Sequence, residues 1–292
     1  MPIPTFVNAR ISLPEATRSA LERNADLAIR VSAPDAFPGL LRAEVERGTR
    51  RVLVVGGDGT MSAAASVLVH TGTELALLPA GTLNHFARDY AIPTSHDDAL
   101  ALARTGASRP VDVGWVNDRC FINTSSVGAY VRFVRARERL ERLLGYRLAS
   151  IVAALQVLLR VRRFRVSIEA GGQLRAYETP LVFVGVGERS LGLPHAGARV
   201  HAGRSALHVL VPRPGTRIRM VGRYALAARG TTAGASFTAR LAEEMFGDWC
   251  TIELRRASGW VAIDGELALL QAPLRYRLER AALRVVMPAV GT

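Results

Sequence analysis

The chain has 292 residues, 49% hydrophobic and 22% charged, with a net charge of +13 carried by arginine alone, because no lysine occurs. That length and balance predict two domains with full cores and exclude a disordered chain. Two distant cysteines, Cys120 and Cys250, exclude a disulfide framework and a Cys-x-x-Cys metal site, and fit a reducing, cytoplasmic setting.

Taken in order, Ile3–Val7 predicts a first strand ending at Asn8. MPIPTFVNARIS has no basic region followed by an apolar run, so no secretory signal is expected. Pro14–Ala25 predicts a helix with proline at its start, Leu27–Val31 a second strand, and Phe37–Gly48 a helix closed by glycine. Arg51–Val55 is a third strand that runs into Gly56-Gly57-Asp58-Gly59-Thr60, and Met61–His70 continues as a helix. Strand, glycine turn and helix start together make a phosphate site. Glycines let backbone N–H groups approach an anion, and the positive end of the helix favours it. The dinucleotide pattern fails at Ser62, where a third glycine is required. The P-loop pattern needs a lysine that the chain lacks. Phosphate charge must then be balanced by backbone, arginine and a divalent metal, with Asp58 the nearest residue to hold it.

Glu74–Leu78 is a fourth strand, and it delivers Pro79-Ala80-Gly81-Thr82-Leu83-Asn84. Gly81 permits close backbone approach, and Thr82 and Asn84 offer short donors and acceptors; an N-cap role for Asn84 is the structural alternative. His85 reads more readily as a packed or capping residue than as a catalyst. Ser95–Arg104 is a helix, and Val111–Trp115 and Arg119–Asn123 are strands around the turn Asn117-Asp118. The alternation of strand and helix predicts a doubly wound parallel α/β domain over residues 1–118, with its ligand at the strand C-termini.

The second half is basic. Residues 1–120 hold 12 Arg and 13 acids, whereas residues 121–292 hold 26 Arg and 12 acids, or −1 against +14. A GC-rich genome would explain the choice of arginine, but not this asymmetry. It suits an anionic partner, and with aromatics at 6% and no nucleic-acid motif a membrane surface is favoured over nucleic acid. Gly128–Leu143, with Arg132, Arg135, Arg139 and Arg142, predicts a basic amphipathic helix. Leu148–Leu159 is apolar but short of the ~20 residues that span a bilayer. It reads as a core helix, or as an interfacial helix or acyl-pocket wall with Arg160, Arg162, Arg163 and Arg165 toward headgroups. Strands then dominate from Phe164, Leu181 and Ala206, which predicts an antiparallel sheet or sandwich. His195, His201 and His208 lack metal-ligand spacing. Thr216–Arg229 predicts a second basic helix, and Ser236–Phe246 a helix or loop. Finally, Trp260–Ile263 and Leu267–Leu270 are strands around Asp264-Gly265-Glu266, with Asp-Gly the favoured hairpin pair.

Three blocks, Gly56-Gly57-Asp58-Gly59-Thr60, Leu78 to Asp89 (LPAGTLNHFARD) and Asp264-Gly265-Glu266, resemble the diacylglycerol kinase catalytic family. Within it they are most similar to the bacterial soluble lipid kinases, relatives of sphingosine and ceramide kinases and of NAD kinase. Arg109–Gly114 and Phe121–Asn123 also fit, so the resemblance covers nearly the whole chain. It implies an NAD-kinase-like α/β nucleotide domain at 1–118 and a C-terminal antiparallel β-sandwich substrate domain at 119–292, the last strand being free to pack back on the first domain. The reaction expected in the cleft between them is transfer of the γ-phosphate of ATP, with Mg²⁺, to a hydroxyl of diacylglycerol or a related lipid. Asp264 would be the general base with Glu266 in support. Asn8, Gly56, Gly57, Asp58, Gly59, Thr60, Gly81, Thr82 and Asn84 would hold the nucleotide, and Asp58 and Glu266 the metal.

The chain departs from the family in three places. The turn after the first strand reads Asn8-Ala9-Arg10-Ile11-Ser12 instead of N-P-x-S-G, Ser62-Ala63 replaces Asn-Glu, and Ala202-Gly203 replaces the Asp-Gly of a structural magnesium site. The expected partners are a lipid substrate and an anionic membrane met peripherally by the basic half of a cytoplasmic protein, with no nucleic acid. A homodimer is compatible with the sequence, which does not set the oligomeric state. The rival readings are an NAD-kinase-like soluble-substrate kinase and a catalytically silent nucleotide- or lipid-binding protein.

Overall fold

A computed structural model describes residues 2–11, 13–82, 84–159, 163–170, 172–190, 197–200, 203–213 and 242–289. The expectations for Arg160, Arg162, His195, His201, Ala202, Thr216–Arg229 and residues 236–241 lie outside the described residues. The chain divides into two compact units, residues 1–113, 119–123 and 279–292 in the first and residues 114–118 and 124–278 in the second.

The first unit is built on continuous apolar runs. In β3 (Arg51–Gly56), Val52 to Val55 have no solvent exposure, which requires cover on both faces. β1 (Ile3–Asn8), β2 (Leu27–Ser32), β3 and β4 (Glu74–Pro79) pair in parallel in the order β2-β1-β3-β4. The far half of β16 (Leu274–Val286) adds a parallel strand beside β4; β16 also pairs with β5 (Ser108–Val116), which pairs with β6 (Arg119–Phe121). Because strand side chains alternate, Leu53, Val55 and Leu78 meet Leu21 of α1 (Glu15–Arg23) and Ala99, Leu100 and Ala103 of α5 (His96–Thr105). Phe6 meets Phe37 of α2 (Phe37–Glu46) edge-on, ring centroids 5.9 Å apart, and α2 packs beside α3 (Asp58–Leu68). This is the doubly wound α/β fold expected. The order reverses between β1 and β3, so the ligand crevice of such a sheet opens where Asn8 and Gly56 end those two strands.

At the other end of these strands two buried carboxylates anchor the framework. Glu74 accepts from Arg51 Nε at 2.8 Å and Ser108 Oγ at 2.8 Å, and Glu44 accepts from Arg47 and Thr49 and pairs with Arg30 at 2.8 Å. Burial raises both pKa values, but these partners outweigh it and hold both below the usual carboxylate range.

The second unit is antiparallel. One sheet runs β12 (Ala242–Gly247), β11 (Leu207–Pro212), β10 (Leu181–Val186), β7 (Thr124–Gly128), β14 (Ser258–Ile263) and β15 (Glu266–Gln271). A second antiparallel run joins the first half of β16 to β13 (Trp249–Leu254), β8 (Phe164–Ala170) and β9 (Gln173–Thr179). The two meet through a buried hydroxyl pair, Tyr276 and Ser125, at 3.0 Å. α6 (Ala129–Leu159) breaks at Gly145, φ +69°, which separates the basic segment from the apolar one as the sequence predicts. Among the described residues no helix is long and apolar enough to cross a membrane.

The reading of Ser236–Phe246 as helix or loop is corrected over its described part, where Ala242–Gly247 is a strand that pairs with β11 throughout. Glu243 and Glu244 break the apolar alternation that would have revealed it. Strands β7, β9 and β13 were not anticipated either.

Candidate active site

In the first unit the two glycine turns are held against each other. Ala80 N–H donates to the Gly56 carbonyl at 2.9 Å. A Cβ on Gly81 would lie 2.5 Å from Gly57 Cα, so only glycine at 81 allows this approach, and one on Gly57 would lie a tight 3.1 Å from Gly81 Cα. Gly57 caps α3, and Met61 N–H returns to its carbonyl at 3.0 Å. The N–H groups of Asp58, Gly59 and Thr60 therefore belong to a helical first turn, where no intrahelical acceptor exists. They are the donors a phosphate needs, on a helix of 11 residues.

The surrounding side chains fix these turns. Thr60, largely buried, packs on Gly56, and its Oγ1 accepts from Asn8 Nδ2 at 2.8 Å across the sheet's switch point. Asn8 Oδ1 accepts from Arg10 N–H at 3.0 Å, so the turn after β1 is ordered by Asn8 without the family's proline and glycine. Asn84 sits at φ +50°, preceding α4 (His85–Asp89), but does not cap it through its side chain. Its amide instead takes both polar groups of Gly81, with Gly81 N–H donating to Oδ1 and Nδ2 donating to the Gly81 carbonyl, each at 2.9 Å. Asp58 Oδ1 accepts from Phe86 N–H at 3.1 Å, which ties the first turn to α4. Thr82 and His85 are exposed.

In the second unit β14 and β15 are joined by the two-residue turn Asp264-Gly265, φ +47° and +89°. Both are left-handed, as a type I′ hairpin demands, and Asp is among the residues that tolerate it. The turn is fixed to β7 twice. Asp264 N–H donates to the Thr124 carbonyl at 2.8 Å, and Thr124 N–H donates to Asp264 Oδ1 at 2.9 Å. Glu266 opens β15 at an accessible position, yet enough protein surrounds its carboxyl to raise its pKa, with Asp264 and then Glu138 adding to the effect. Three carboxylates thus share one corner of this unit.

The structure gathers Asn8, Gly56, Gly57, Asp58, Gly59, Thr60, Gly81 and Asn84 around one pair of turns, and Asp264 with Glu266 around another. It adds Thr124 and Glu138. Thr124 acts through its backbone, which leaves no mark in a sequence, and Glu138 lies inside a helix dense in charge. Among the described residues no group of three or more His, Cys, Asp or Glu side chains forms a metal-binding cluster.

Comparison with known proteins agrees with this architecture. The profile of the diacylglycerol kinase catalytic domain matches residues 12–116. A probable lipid kinase, YegS-like, of Pseudomonas aeruginosa is 33% identical over 285 residues, covering 92% of this chain and 87% of that protein. A counterpart in Pseudomonas putida is 29% identical over 268 residues, covering 86% and 81%. A putative diacylglycerol kinase from Bacillus anthracis str. Sterne superposes with a TM-score of 0.77 at 20% identity, covering 98% of this chain and 97% of that one.

Proposed function

Since the chain belongs to the diacylglycerol kinase catalytic family and is a kinase, we propose that it transfers the γ-phosphate of ATP to a hydroxyl of diacylglycerol or a related lipid. The observation that carries this reading is the double tie between Asp264 and Thr124, which fixes a carboxylate beyond what a hairpin turn needs. In the proposed division of labour, residues 1–118 bind nucleotide and residues 119–292 bind the acceptor. The first turn of α3 holds phosphate oxygens through the N–H groups of Asp58, Gly59 and Thr60. Gly81, Thr82 and Asn84 close the other side, with Asn8 positioning Thr60.

As the acceptor oxygen attacks the γ-phosphorus, its proton passes to the Asp264 carboxylate and the bond to the β-phosphate oxygen breaks, releasing ADP. Such a transfer depends on alignment and charge neutralisation more than on covalent help. Mg²⁺ fits the donors present, because it binds through one or two carboxylates plus substrate phosphates. Asp58 offers its second oxygen for that, and a cation near Glu266 would offset the burial, and the neighbouring Asp264 and Glu138 charges, that raise its pKa. When bound, the ion would neutralise phosphate charge. The acceptor is reached peripherally at an anionic membrane surface.

The test is transfer of labelled γ-phosphate, with Mg²⁺, to diacylglycerol, monoacylglycerol, sphingosine, ceramide, phosphatidylglycerol and NAD. Label should enter an organic-phase product. Asp264→Asn keeps an acceptor for Thr124 N–H and tolerates the left-handed turn, so it should fold and bind nucleotide while turnover falls about 10²–10⁴-fold. Label in NAD alone, or full turnover by this variant, would overturn the assignment.

A further inference from the structure

The second unit carries a groove of about 1170 Å³ that the proposed chemistry does not use, walled by the start of α6 and the ends of β7, β8, β13 and β14. Six arginines line it, Arg132, Arg135, Arg163, Arg165, Arg255 and Arg256, against one acid, Glu178, which stands opposite Arg165 in the β8–β9 register. Among the described residues, Arg163, Arg165, Arg255 and Arg256 have no salt bridge to a carboxylate. Folding has therefore gathered six positive charges against one negative in the lining of one groove, which self-repulsion opposes unless an anion is met there.

The groove is also amphipathic. Trp260 and Leu269 face each other across β14 and β15 on its rim, and they remain 42% and 55% exposed. A site for a small soluble phosphate has no use for an exposed tryptophan and leucine beside it. A membrane surface does, since tryptophan sits at the headgroup level and apolar side chains enter the acyl boundary. Arg135 lies over the Trp260 ring, 4.2 Å from its centroid, so that face is closed to a stacked nucleobase. Asp264 follows Trp260 by four positions along the chain, about 13 Å of extended strand. A phosphate seated among these arginines is thus remote from the proposed base.

We propose that this groove docks the protein on anionic phospholipid, its arginines taking headgroup phosphates while Trp260 and Leu269 enter the interface, and that the docked lipid is an anchor separate from the acceptor. The proposal rests on the lipid-kinase reading only in taking a membrane as the source of phosphate.

The test is co-sedimentation of the full chain with vesicles of phosphatidylcholine, with and without 30% phosphatidylserine, an anionic lipid with no free hydroxyl to phosphorylate, at low and high salt. Binding should require the anionic lipid and weaken with salt. Each basic residue near such a surface is worth about fivefold in affinity, so Arg255→Gln with Arg256→Gln, both exposed turn positions, should weaken binding about 25-fold. Trp260→Ala should weaken it as well. Arg23→Gln with Arg42→Gln makes the same charge change on exposed positions of the first unit and should stay within about twofold. Asp264→Asn should bind as the unaltered chain does, which separates failure of this proposal from failure of the catalytic one. Equal losses in both arginine pairs, undiminished binding by the Arg255/Arg256 variant, displacement by millimolar glycerol phosphate, or tighter binding to single-stranded RNA than to vesicles would each overturn it.

Discussion

Replacing Gly81 with alanine tests the pairing of the two turns most directly. The added Cβ would stand 2.5 Å from Gly57 Cα and 2.8 Å from Asn84 Oδ1, where ordinary carbon contacts are ~3.5–4.0 Å. The nearer obstacle is backbone and cannot rotate away, so the turns must part by about 1 Å. That displacement costs ~1–3 kcal/mol of overpacking, and it disturbs the two bonds between Asn84 and Gly81, each worth ~1 kcal/mol. Nucleotide affinity measured by titration calorimetry should fall about 10- to 100-fold, because phosphate donors displaced by 1 Å lose most of their alignment. The melting temperature should drop by roughly 2–12 °C. Gly39→Ala is the matched control: nothing lies within 4 Å of its added Cβ and its backbone is helical, so affinity and melting should not fall. If Gly81→Ala bound nucleotide and melted like the unaltered chain, the turns would not form the cradle described.

Three further outcomes follow from named contacts. Asn8→Ala removes the donor to Thr60 and the acceptor for Arg10 N–H, and should weaken nucleotide binding about fivefold, ~1 kcal/mol; unchanged affinity would separate Asn8 from the site. Glu74 has a folded pKa below the usual 4.5, so its contribution is present above that value and is lost as pH falls through the lower folded value. Thermal melts should show Glu74→Gln less stable at neutral pH but with a smaller acid loss than the unaltered chain, and parallel curves would refute this. Burial lowers His208 from 6.5 to about 4, with Arg189 and Arg204 helping against Glu188. The unfolded chain then takes up a proton first as pH falls from 6.5 to 4, so stability declines across that window. His208→Gln should flatten the decline in melts between pH 7 and 4, and an identical slope would show that another group governs it.

What could be read in the sequence was whatever local chemistry determines. Val52 to Val55 followed by two glycines can hardly be anything but a buried strand entering a tight turn, and the alternation that follows specifies the doubly wound sheet. Asp264-Gly265 gave its hairpin through the positive φ that the turn demands. Hidden features depended on distant partners. β9 has five exposed residues among seven and β12 begins Ala-Glu-Glu, so neither shows a face until a neighbour supplies one. Asn84 invited two readings, nucleotide contact or helix cap, and its amide instead closes on Gly81 three residues back. The arginine groove draws on five segments between Val127 and Leu269; the basic helix of Arg132 and Arg135 and the cluster of Arg163 and Arg165 are legible in the sequence, but their convergence with Arg255 and Arg256 is not.

The division of β16 bears on how the chain is made. Its far half lies beside β4, whose six residues are all buried. Everything else in the first unit's parallel sheet has left the ribosome by Thr105, but this strand begins its share at Glu279. At ~5–20 residues per second the wait is roughly 10–35 s. Throughout it β4 is an apolar edge with unpaired backbone groups, the kind of surface that recruits the wrong strand. The nascent first unit therefore carries this open edge until the final strand emerges.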